Sequence, residues 1–448
     1  MSRAANSLRS RLVAALLLVL SAATPAVSLS AAAAKGELTP LERRIAAAVE
    51  SEVPRALELL ERAVNVNSGT MNFEGVREVG RIFAAELEQL GFTTRWIDGA
   101  PFERAGHLVA ERAGSGPRVL LIGHLDTVFE PDSPFQRYQR ISEHAAKGPG
   151  TIDMKGGNVV LIHALRALRG SGDLDALDLR VVLTGDEEKS GRPLAAARRA
   201  LREAAEGAVA ALGFEDGDGD PTTAVIARRG ATGWVITATG KAAHSSQIFQ
   251  PAYGAGAVFE LARILHELYQ ELAGEELLTF NPGLVLGGTT VELDREQARG
   301  TAFGKDNVIA ERAVASGDLR AISPEQLERA RAEMREIVNG HLPGAGAEIE
   351  VDDGYPPMAP SAGNRELLGM LDAVSRALGA GEVRAVDPRN AGAADVSFVA
   401  DLVPRVIDGL GLMGTDGHTV EETADLRTLP TQTQRAALLL HRISQQLD

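Results

Sequence analysis

The strongest constraint on the fold of this 448-residue chain is an alternation of short apolar runs with helical segments. Apolar residues spaced three or four apart predict helices from about Leu41 to Leu90. Beyond them, segments that predict strands and helices alternate in the order RVLLIGHLDTVF, GGNVVLIHALRALRG, LRVVLTG, RPLAAARRALREA and GAVAALGFE. Such an alternation is typical of a mostly parallel central sheet covered by helices. The sequence therefore predicts an α/β fold.

A different pattern begins near Arg229 and predicts a strand, a helix, two strands, a helix and a strand. This is the order of a ferredoxin-like α+β module. The helix in SPEQLERARAEMREIVNGHL has a clear predicted start, with Ser323 as N-cap, Pro324 at the first position and Gln326 placed to close a capping box. The first pattern resumes near Pro357, so the α+β module is inserted. We predict a large domain in two parts, 35–228 and 357–448, and an inserted domain over 229–356.

The N-terminus has the pattern of a secretory signal peptide. Arg3, Arg9 and Arg11 precede the apolar run LVAALLLVL, and the small residues of SAATPAVSLSAAAAKG follow it. The apolar run is too short to cross a bilayer. We predict that residues 1–34 are a signal peptide and that the mature protein is periplasmic or secreted, without membrane contact.

Composition excludes several classes of function. The chain is 44% hydrophobic, which is sufficient for a large core. Its formal net charge of -15 argues against nucleic acid as a partner, because nucleic-acid binding needs a basic face. The absence of cysteine excludes disulfides, a thiol nucleophile and cysteine-ligated metal.

Acids and histidines follow several of the predicted strands or lie in glycine-rich loops. They are His124 and Asp126 in LLIGHLDTVF, Asp153 in GPGTIDMKGG, Glu187 and Glu188 in TGDEEKSG, Glu215 in LGFEDGDGD, and His418 in GTDGHTVEE. The carboxyl ends of parallel strands lie at one edge of a sheet, so these groups can converge. Imidazole nitrogens and carboxylate oxygens suit a pair of zinc ions. With metals present, one of the adjacent glutamates can bind metal while the other serves as general base.

Each of these motifs also has an ordinary explanation. Asp126 and Asp153 suit turns, DEEKSG suits a solvated strand exit, EDGDGD suits a flexible or calcium-binding loop, and His418 suits a structural role. All of these explanations must hold independently, whereas one metal centre accounts for every motif. A calcium site leaves the two histidines unexplained, because calcium prefers oxygen ligands.

Six motifs occur in the order seen in a known family: GHLDTV, GPGTIDMKGGN, TGDEEKSG, GFED, GKAAHSS and GTDGHTVEE. The chain resembles the di-zinc exopeptidases of the glutamate carboxypeptidase, aminoacylase and succinyl-diaminopimelate desuccinylase family, over roughly residues 40–445. The resemblance implies a zinc-exopeptidase-like catalytic domain with two Zn²⁺ ions per chain, or Co²⁺ or Mn²⁺ in their place. It implies that Asp153 bridges the metals, that Glu188 and His418 complete one site, and that His124 and Glu215 complete the other. It also implies that Asp126 orients His124 and that Glu187 is the general base.

The inserted module resembles the lid and dimerisation domain of the same family, which implies a homodimer. His244 in GKAAHSS matches a histidine that reaches the active site of the neighbouring subunit and stabilises the oxyanion, and a surface loop histidine is its alternative. Three residues match positions near the substrate: Asn307, Arg320 and Gly392. Arg320 suits a free carboxylate through bidentate contacts, and a surface salt bridge is its alternative.

Two departures from the family pattern bear on specificity. Tyr355 in DDGYPPM stands where glutamate carboxypeptidases of the family tend to have an arginine, which puts a strict C-terminal glutamate preference in doubt. The glycine-rich turn after Gly392 carries Ala393 and Ala394, and we expect these methyl groups to narrow the pocket.

The predicted function is a zinc-dependent exopeptidase, most like a carboxypeptidase, that hydrolyses an amide bond and releases a C-terminal amino acid. Its expected substrate is a small peptide or an N-acyl amino acid. A dipeptidase, aminoacylase or other N-acyl-amino-acid deacylase uses the same metals and base, and so stays open as an alternative. A non-catalytic metal-containing binding protein is the alternative from another class, and the intact Glu187 argues against it.

Overall fold

The computed structural model describes residues 36–295 and 297–447. In these ranges the chain forms nine α-helices: α1 (Pro40–Val64), α2 (Phe73–Gln89), α3 (Lys155–Ser171), α4 (Leu194–Ala197), α5 (Arg199–Ala205), α6 (Ala257–Leu272), α7 (Pro324–Asn339), α8 (Ala362–Ala377) and α9 (Thr428–Gln446). The strands up to residue 351 are, in chain order, β1 (Thr93–Asp98), β2 (Gly106–Arg112), β3 (Arg118–His124), β4 (Gln139–Arg140), β5 (Ala145–Lys147), β6 (Asp178–Thr184), β7 (Ala210–Gly213), β8 (Thr223–Ala224), β9 (Thr232–Thr239), β10 (Thr279–Gly288), β11 (Thr290–Asp294), β12 (Arg299–Phe303), β13 (Arg312–Arg320) and β14 (Gly346–Val351). Four short strands complete the set: β15 (Arg384–Ala385), β16 (Val406–Ile407), β17 (Gly414–Thr415) and β18 (Thr423–Asp425).

The central sheet is mixed, with the strand order β1-β2-β6-β3-β7-β16. The pairs β6–β3, β3–β7 and β7–β16 are parallel, as the sequence predicts, whereas β1–β2 and β2–β6 are antiparallel. The connections that precede and follow β2 are only a few residues long, and a parallel neighbour needs a crossover of a dozen or more residues. Only β2 runs opposite to the other five strands, so the predicted parallel arrangement is present from β6 to β16 and β2 makes the sheet mixed.

Helices cover both faces of this sheet, because the central strands direct apolar side chains to both faces. In β3, Val119 and Leu121 belong to the core under α1, α3 and α9, while Leu120 and Ile122 belong to the core on the opposite face. Strands buried on both faces read as continuous apolar runs.

The prediction of a single helix in RPLAAARRALREA is wrong in one detail. This segment forms two short helices, α4 and α5, that meet at Arg198.

Residues 232–351 form an α+β module. Its four strands make an antiparallel sheet in the order β10-β13-β9-β14, and α6 and α7 pack on one face of it. The elements follow the predicted β-α-β-β-α-β order, with an additional hairpin, β11–β12, that the sequence analysis does not predict. Ser323 caps α7 as predicted, but the Gln326 side chain accepts from the backbone N–H of Ile322, so the predicted capping box is not closed.

Some predictions stay outside what the structure tests. The predicted signal peptide, 1–34, lies outside the described residues. The boundaries of the two predicted domains remain predictions, as does a lid or dimerisation role for the α+β module. Within residues 36–295 and 297–447, no helix has the length and apolar character needed to cross a bilayer.

Candidate active site

Three neighbouring parallel strands place acidic and histidine side chains at one edge of the central sheet. His124 is the last residue of β3, Glu187 and Glu188 follow the end of β6, and Glu215 follows the end of β7. The sheet order β6-β3-β7 makes these three ends adjacent. Asp153 lies just before α3 and His418 just after β17, and both reach the same edge. The convergence expected from the sequence is present.

The first group of possible metal ligands consists of His124, Asp153 and Glu215. The Nε2 atom of His124 lies 3.0 Å from Oδ1 of Asp153 and 3.5 Å from Oε1 of Glu215. The Nδ1 atom of His124 lies 3.0 Å from the backbone carbonyl oxygen of Asp126, which can only accept a hydrogen bond. Nδ1 therefore carries a proton, and Nε2 is the atom that can present a lone pair to a cation.

The second group consists of Asp153, Glu188 and His418. The Nε2 atom of His418 lies 2.7 Å from Oδ2 of Asp153 and 3.2 Å from Oε2 of Glu188. The two oxygens of Asp153 thus face two different histidines. The other carboxylate oxygen of Glu188, Oε1, is buried and has no hydrogen-bond partner among the described residues. This donor set fits two divalent cations that share Asp153, since nitrogen and carboxylate oxygen are suitable zinc ligands.

The electrostatics of the site also favour bound cations. Burial, together with neighbouring carboxylates, raises the pKa of Glu187 and of Glu215 well above the usual range. Hydrogen bonds to Asp153 and Glu188 raise the pKa of His418 to about 11. Divalent cations bound among these groups would offset the crowded negative charge.

Asp126 is fully buried, and its carboxylate contacts more than the histidine that the resemblance assigns to it. Its Oδ1 atom lies 3.4 Å from Nδ1 of His124 and accepts the backbone N–H of Glu187 at 3.1 Å. Its Oδ2 atom accepts the backbone N–H of Glu188 at 3.2 Å and the hydroxyl of Thr70 at 2.7 Å. One carboxylate therefore fixes both the histidine and the two glutamates.

The three consecutive acids after β6 point in three directions. Asp186 is fully buried and pairs with the guanidinium of Arg198 at 2.6 Å. Glu187 faces a cavity of about 400 Å³, and Glu188 faces His418. A structural ion pair, a cavity-facing acid and a possible metal ligand therefore follow one another in the sequence, which explains the accumulation of charge there.

The cavity is shared by the metal-ligand groups and the glycine-rich turn. The residues around it include Gly392, Ala393, Asn390, Asp216 and Arg228, in addition to Asp153, Glu187, Glu215 and His418. Gly392 therefore lines the same cavity as the possible metal ligands, and a role near the substrate stays a prediction.

Arg228 reaches this cavity, but its guanidinium is already engaged. It pairs with Asp408 at 2.8 Å and donates to the carbonyl oxygen of Gly392 at 2.7 Å. Asp408 in turn accepts the backbone N–H of Glu215 at 3.2 Å. This buried pair joins the glycine-rich turn to one possible metal ligand.

The other residues that the resemblance assigns to substrate lie on the α+β module and do not contact this cavity. His244 is exposed, and its Nδ1 lies 2.9 Å from the hydroxyl of Ser246. Asn307 is exposed and adjacent to His244, because Ser245 donates its N–H to the Asn307 carbonyl oxygen. Arg320 ends β13 and pairs with Asp318 at 2.9 Å. The structure therefore brings together the predicted ligands, base and Gly392, but not these three residues.

Several residues that hold the site in place were missed by the sequence analysis. Glu422 is fully buried, and its carboxylate accepts the backbone N–H groups of Ile152 at 2.9 Å and Gly150 at 3.2 Å, which fixes the loop that carries Asp153. The motif GTDGHTVEE contains Glu422, but nothing in the sequence distinguishes it from the exposed Glu421. Arg198, Arg228 and Asp408 were missed because their partners are distant in the sequence.

Three comparisons place these motifs among known proteins. The sequence profile of Peptidase family M20/M25/M40 matches residues 120–442. Carboxypeptidase G2 from Pseudomonas sp. (strain RS-16) is 28% identical over 396 residues, which cover 88% of this chain and 90% of that protein.

Solved structures share the fold at low sequence identity. Aminopeptidase PepT from Bacillus cereus superposes with a TM-score of 0.68 at 17% identity, over 87% of this chain and 98% of that chain. A dinuclear metal-binding peptidase of family M20 from Bacillus subtilis superposes with a TM-score of 0.61 at 16% identity, over 89% of this chain and all of that chain (100%).

Proposed function

Because the chain belongs to Peptidase family M20/M25/M40, we propose that it is a dinuclear zinc exopeptidase that releases a C-terminal amino acid from a small peptide. The family predicted from the motifs is confirmed, and the protein is a metallohydrolase that acts on peptide or amide bonds. The observation that carries the finer proposal is the pair of ligand groups that share Asp153 beside the cavity-facing Glu187.

In the proposed reaction, His124, Asp153 and Glu215 would hold one cation, and Asp153, Glu188 and His418 would hold the other. Bound divalent cations would supply a Lewis acid for the substrate carbonyl and would lower the pKa of a water molecule. Glu187 would take a proton from the water as the water oxygen bonds to the carbonyl carbon, and would give that proton to the amine nitrogen as the carbon–nitrogen bond breaks. Asp126 keeps the backbone of Glu187 in place during this transfer through its hydrogen bond to the Glu187 N–H.

The remaining parts of the proposal concern assembly and location. We propose that the protein is a homodimer, because His244 is exposed outside the cavity of its own chain and would serve the neighbouring active site. Arg320, which is half-buried beside Asp318, would bind the free carboxylate of the substrate. We propose export to the periplasm or the medium by the N-terminal signal peptide.

The test is amino-acid release by the purified mature protein from a mixed panel of dipeptides, folyl-type glutamates and N-acyl amino acids. We expect release that stops when a chelator is added and returns when Zn²⁺ is restored, because the metals activate the water. Mass spectrometry of the products identifies the released residue. Release that survives complete removal of metal would contradict the proposed mechanism. No release from any member, with two metal equivalents bound, would favour the binding-protein alternative.

A dipeptidase is the second candidate function, and Asp216 is the observation that favours it. Asp216 lines the cavity, and among the described residues its carboxylate receives no hydrogen bond. The cationic side chains at this cavity are Arg228, which is paired with Asp408, and His418, which is a possible metal ligand. The cavity therefore offers the Asp216 carboxyl group to the amine of a dipeptide, and among the described residues it offers no unpaired cationic side chain to an acidic acyl group.

The Asp216→Asn variant tests this second candidate. We expect the wild type to prefer a dipeptide over its N-acetylated form, and the variant to lose about tenfold of that preference, because a charge-assisted hydrogen bond to the amine is removed. The measurement is the ratio of kcat/KM for the two substrates. Asp218→Asn is the matched control, since Asp218 is an exposed residue of the same loop. An unchanged ratio in Asp216→Asn would rule out recognition of the amine by this residue.

A further inference from the structure

The two segments that connect the α+β module to the rest of the chain run side by side. Arg228 and Met358 exchange backbone hydrogen bonds of 2.9 Å in both directions, and Ala231 donates its N–H to the carbonyl oxygen of Tyr355 at 3.0 Å. Tyr355 thus lies in the second connecting segment, just after β14. Its side chain leaves this segment toward the end of β6.

The Tyr355 hydroxyl forms a hydrogen bond with the backbone of the proposed general base. It donates to the carbonyl oxygen of Glu187 at 2.7 Å and accepts from the guanidinium of Arg198 at 2.9 Å. The hydroxyl of Ser190 lies 3.2 Å away. The Tyr355 ring packs on Phe398, with 4.9 Å between the ring centroids. Tyr355 is therefore held on its hydroxyl and on its ring.

Arg198 gives this contact a rigid support. Its side chain is 1% exposed and pairs with Asp186 at 2.6 Å and with Asp395 at 2.8 Å. Asp395 also accepts the hydroxyl of Thr184, the last residue of β6, at 2.5 Å. Buried charges that satisfy one another with good geometry fix their neighbours in place, because any displacement leaves a charge without its partner.

The peptide groups around Glu187 are therefore held from two sides. Asp126 accepts its N–H, and Tyr355 donates to its carbonyl oxygen. The side chain of Glu187 faces the cavity from a peptide backbone that these two hydrogen bonds hold. A general base must stay within hydrogen-bond reach of the proton it takes, so such a support matters for proton transfer.

We propose that Tyr355 is a positioning residue that holds the backbone of Glu187 and links it to the segment connecting the α+β module. The inference rests on the proposed function for the role of Glu187 as base. This role differs from the role in substrate specificity that the family pattern suggests for Tyr355. The Tyr355 hydroxyl contacts the backbone of Glu187 and not the cavity.

The Tyr355→Phe variant removes the hydroxyl and keeps the ring on Phe398. We expect kcat to fall about tenfold, with KM within about twofold of the wild type, because one hydrogen bond that orients the base is lost. We also expect faster hydrogen exchange, by mass spectrometry, in the peptide that covers residues 184–191, and no loss of bound metal. Tyr138→Phe is the matched control, because Tyr138 is a half-buried tyrosine that packs against the main core.

The exchange measurement separates this inference from the proposed function. If the wild type shows no chelator-sensitive hydrolysis but Tyr355→Phe still loosens residues 184–191, the positioning contact stands and the proposed function fails. Unchanged exchange in that peptide overturns the inference, whatever happens to kcat. Faster exchange in all peptides of Tyr355→Phe, with a lower Tm than that of Tyr138→Phe, also overturns the inference. Tyr355 would then only support the fold.

Discussion

Replacing Glu187 by glutamine is expected to lower kcat about a thousandfold while both metals stay bound. The amide of glutamine cannot accept and pass on a proton at neutral pH, and general-base catalysis contributes about 10²- to 10⁴-fold. The five possible metal ligands are untouched, so the change in kcat should come without a change in metal content. The measurements are kcat on the released amino acid and metal per chain by elemental analysis.

Glu143→Gln is the matched control for this variant, since its side chain is 87% exposed and remote from the cavity. It should hydrolyse substrate like the wild type. A Glu187→Gln enzyme that keeps more than about a tenth of the wild-type kcat would show that another group accepts the proton. A variant that loses metal together with activity would show instead that Glu187 is a ligand, which would revise the assignment of the two adjacent glutamates.

The possible metal ligands were predictable from sequence because each of them lies close to a local signal. His124, Glu188 and Glu215 follow apolar runs that form the adjacent strands β3, β6 and β7. Adjacent parallel strands bring their carboxyl ends to one edge, so residues that are far apart in the chain meet there without any detailed knowledge of packing. The roles of these residues still required the family resemblance, since spacing alone does not distinguish a ligand from a base.

The supporting contacts were not predictable, because they join residues without a local pattern. Arg198 lies in a segment rich in alanine and arginine, and the sequence does not show that this arginine, and not Arg199, turns inward to Asp186 and Asp395. Tyr355 was interpreted from its place in the family pattern, but the direction of its hydroxyl depends on how two connecting segments pair. Such information is contained in the tertiary structure and not in periodicity.

The sheet topology shows a similar limit. The alternation of strand and helix patterns correctly predicts the parallel pairs, because helices of adequate length provide the crossovers. The strands β1 and β2 break that alternation, and their short connection makes them antiparallel. The additional β11–β12 hairpin was missed because GLVLGGTTVELD reads as one strand, although Thr289 separates β10 from β11.

Replacing Asp153 by asparagine is expected to remove both metals, whereas replacing His418 by alanine should remove only one. Asp153 is the residue common to the two ligand groups, and each of its oxygens lies close to a different histidine. Asparagine offers one oxygen and one N–H₂ group, which cannot ligate a cation, and it also removes a negative charge. We expect metal affinity to fall at least about a hundredfold, given that even residues behind the ligands contribute 10- to 100-fold.

The measurement is the number of zinc equivalents retained after dialysis against a weak chelator, together with kcat. The expected numbers of equivalents are two for the wild type, one for His418→Ala and none for Asp153→Asn, and activity should be lost in both variants. Asp132→Asn, a change of the same kind at an exposed position, should retain two equivalents and full activity. Retention of one equivalent by Asp153→Asn would mean that Asp153 serves a single cation and that the two groups are separate sites. Retention of two would remove Asp153 from the ligand set altogether, and the closeness of its oxygens to His124 and His418 would then reflect hydrogen bonding alone.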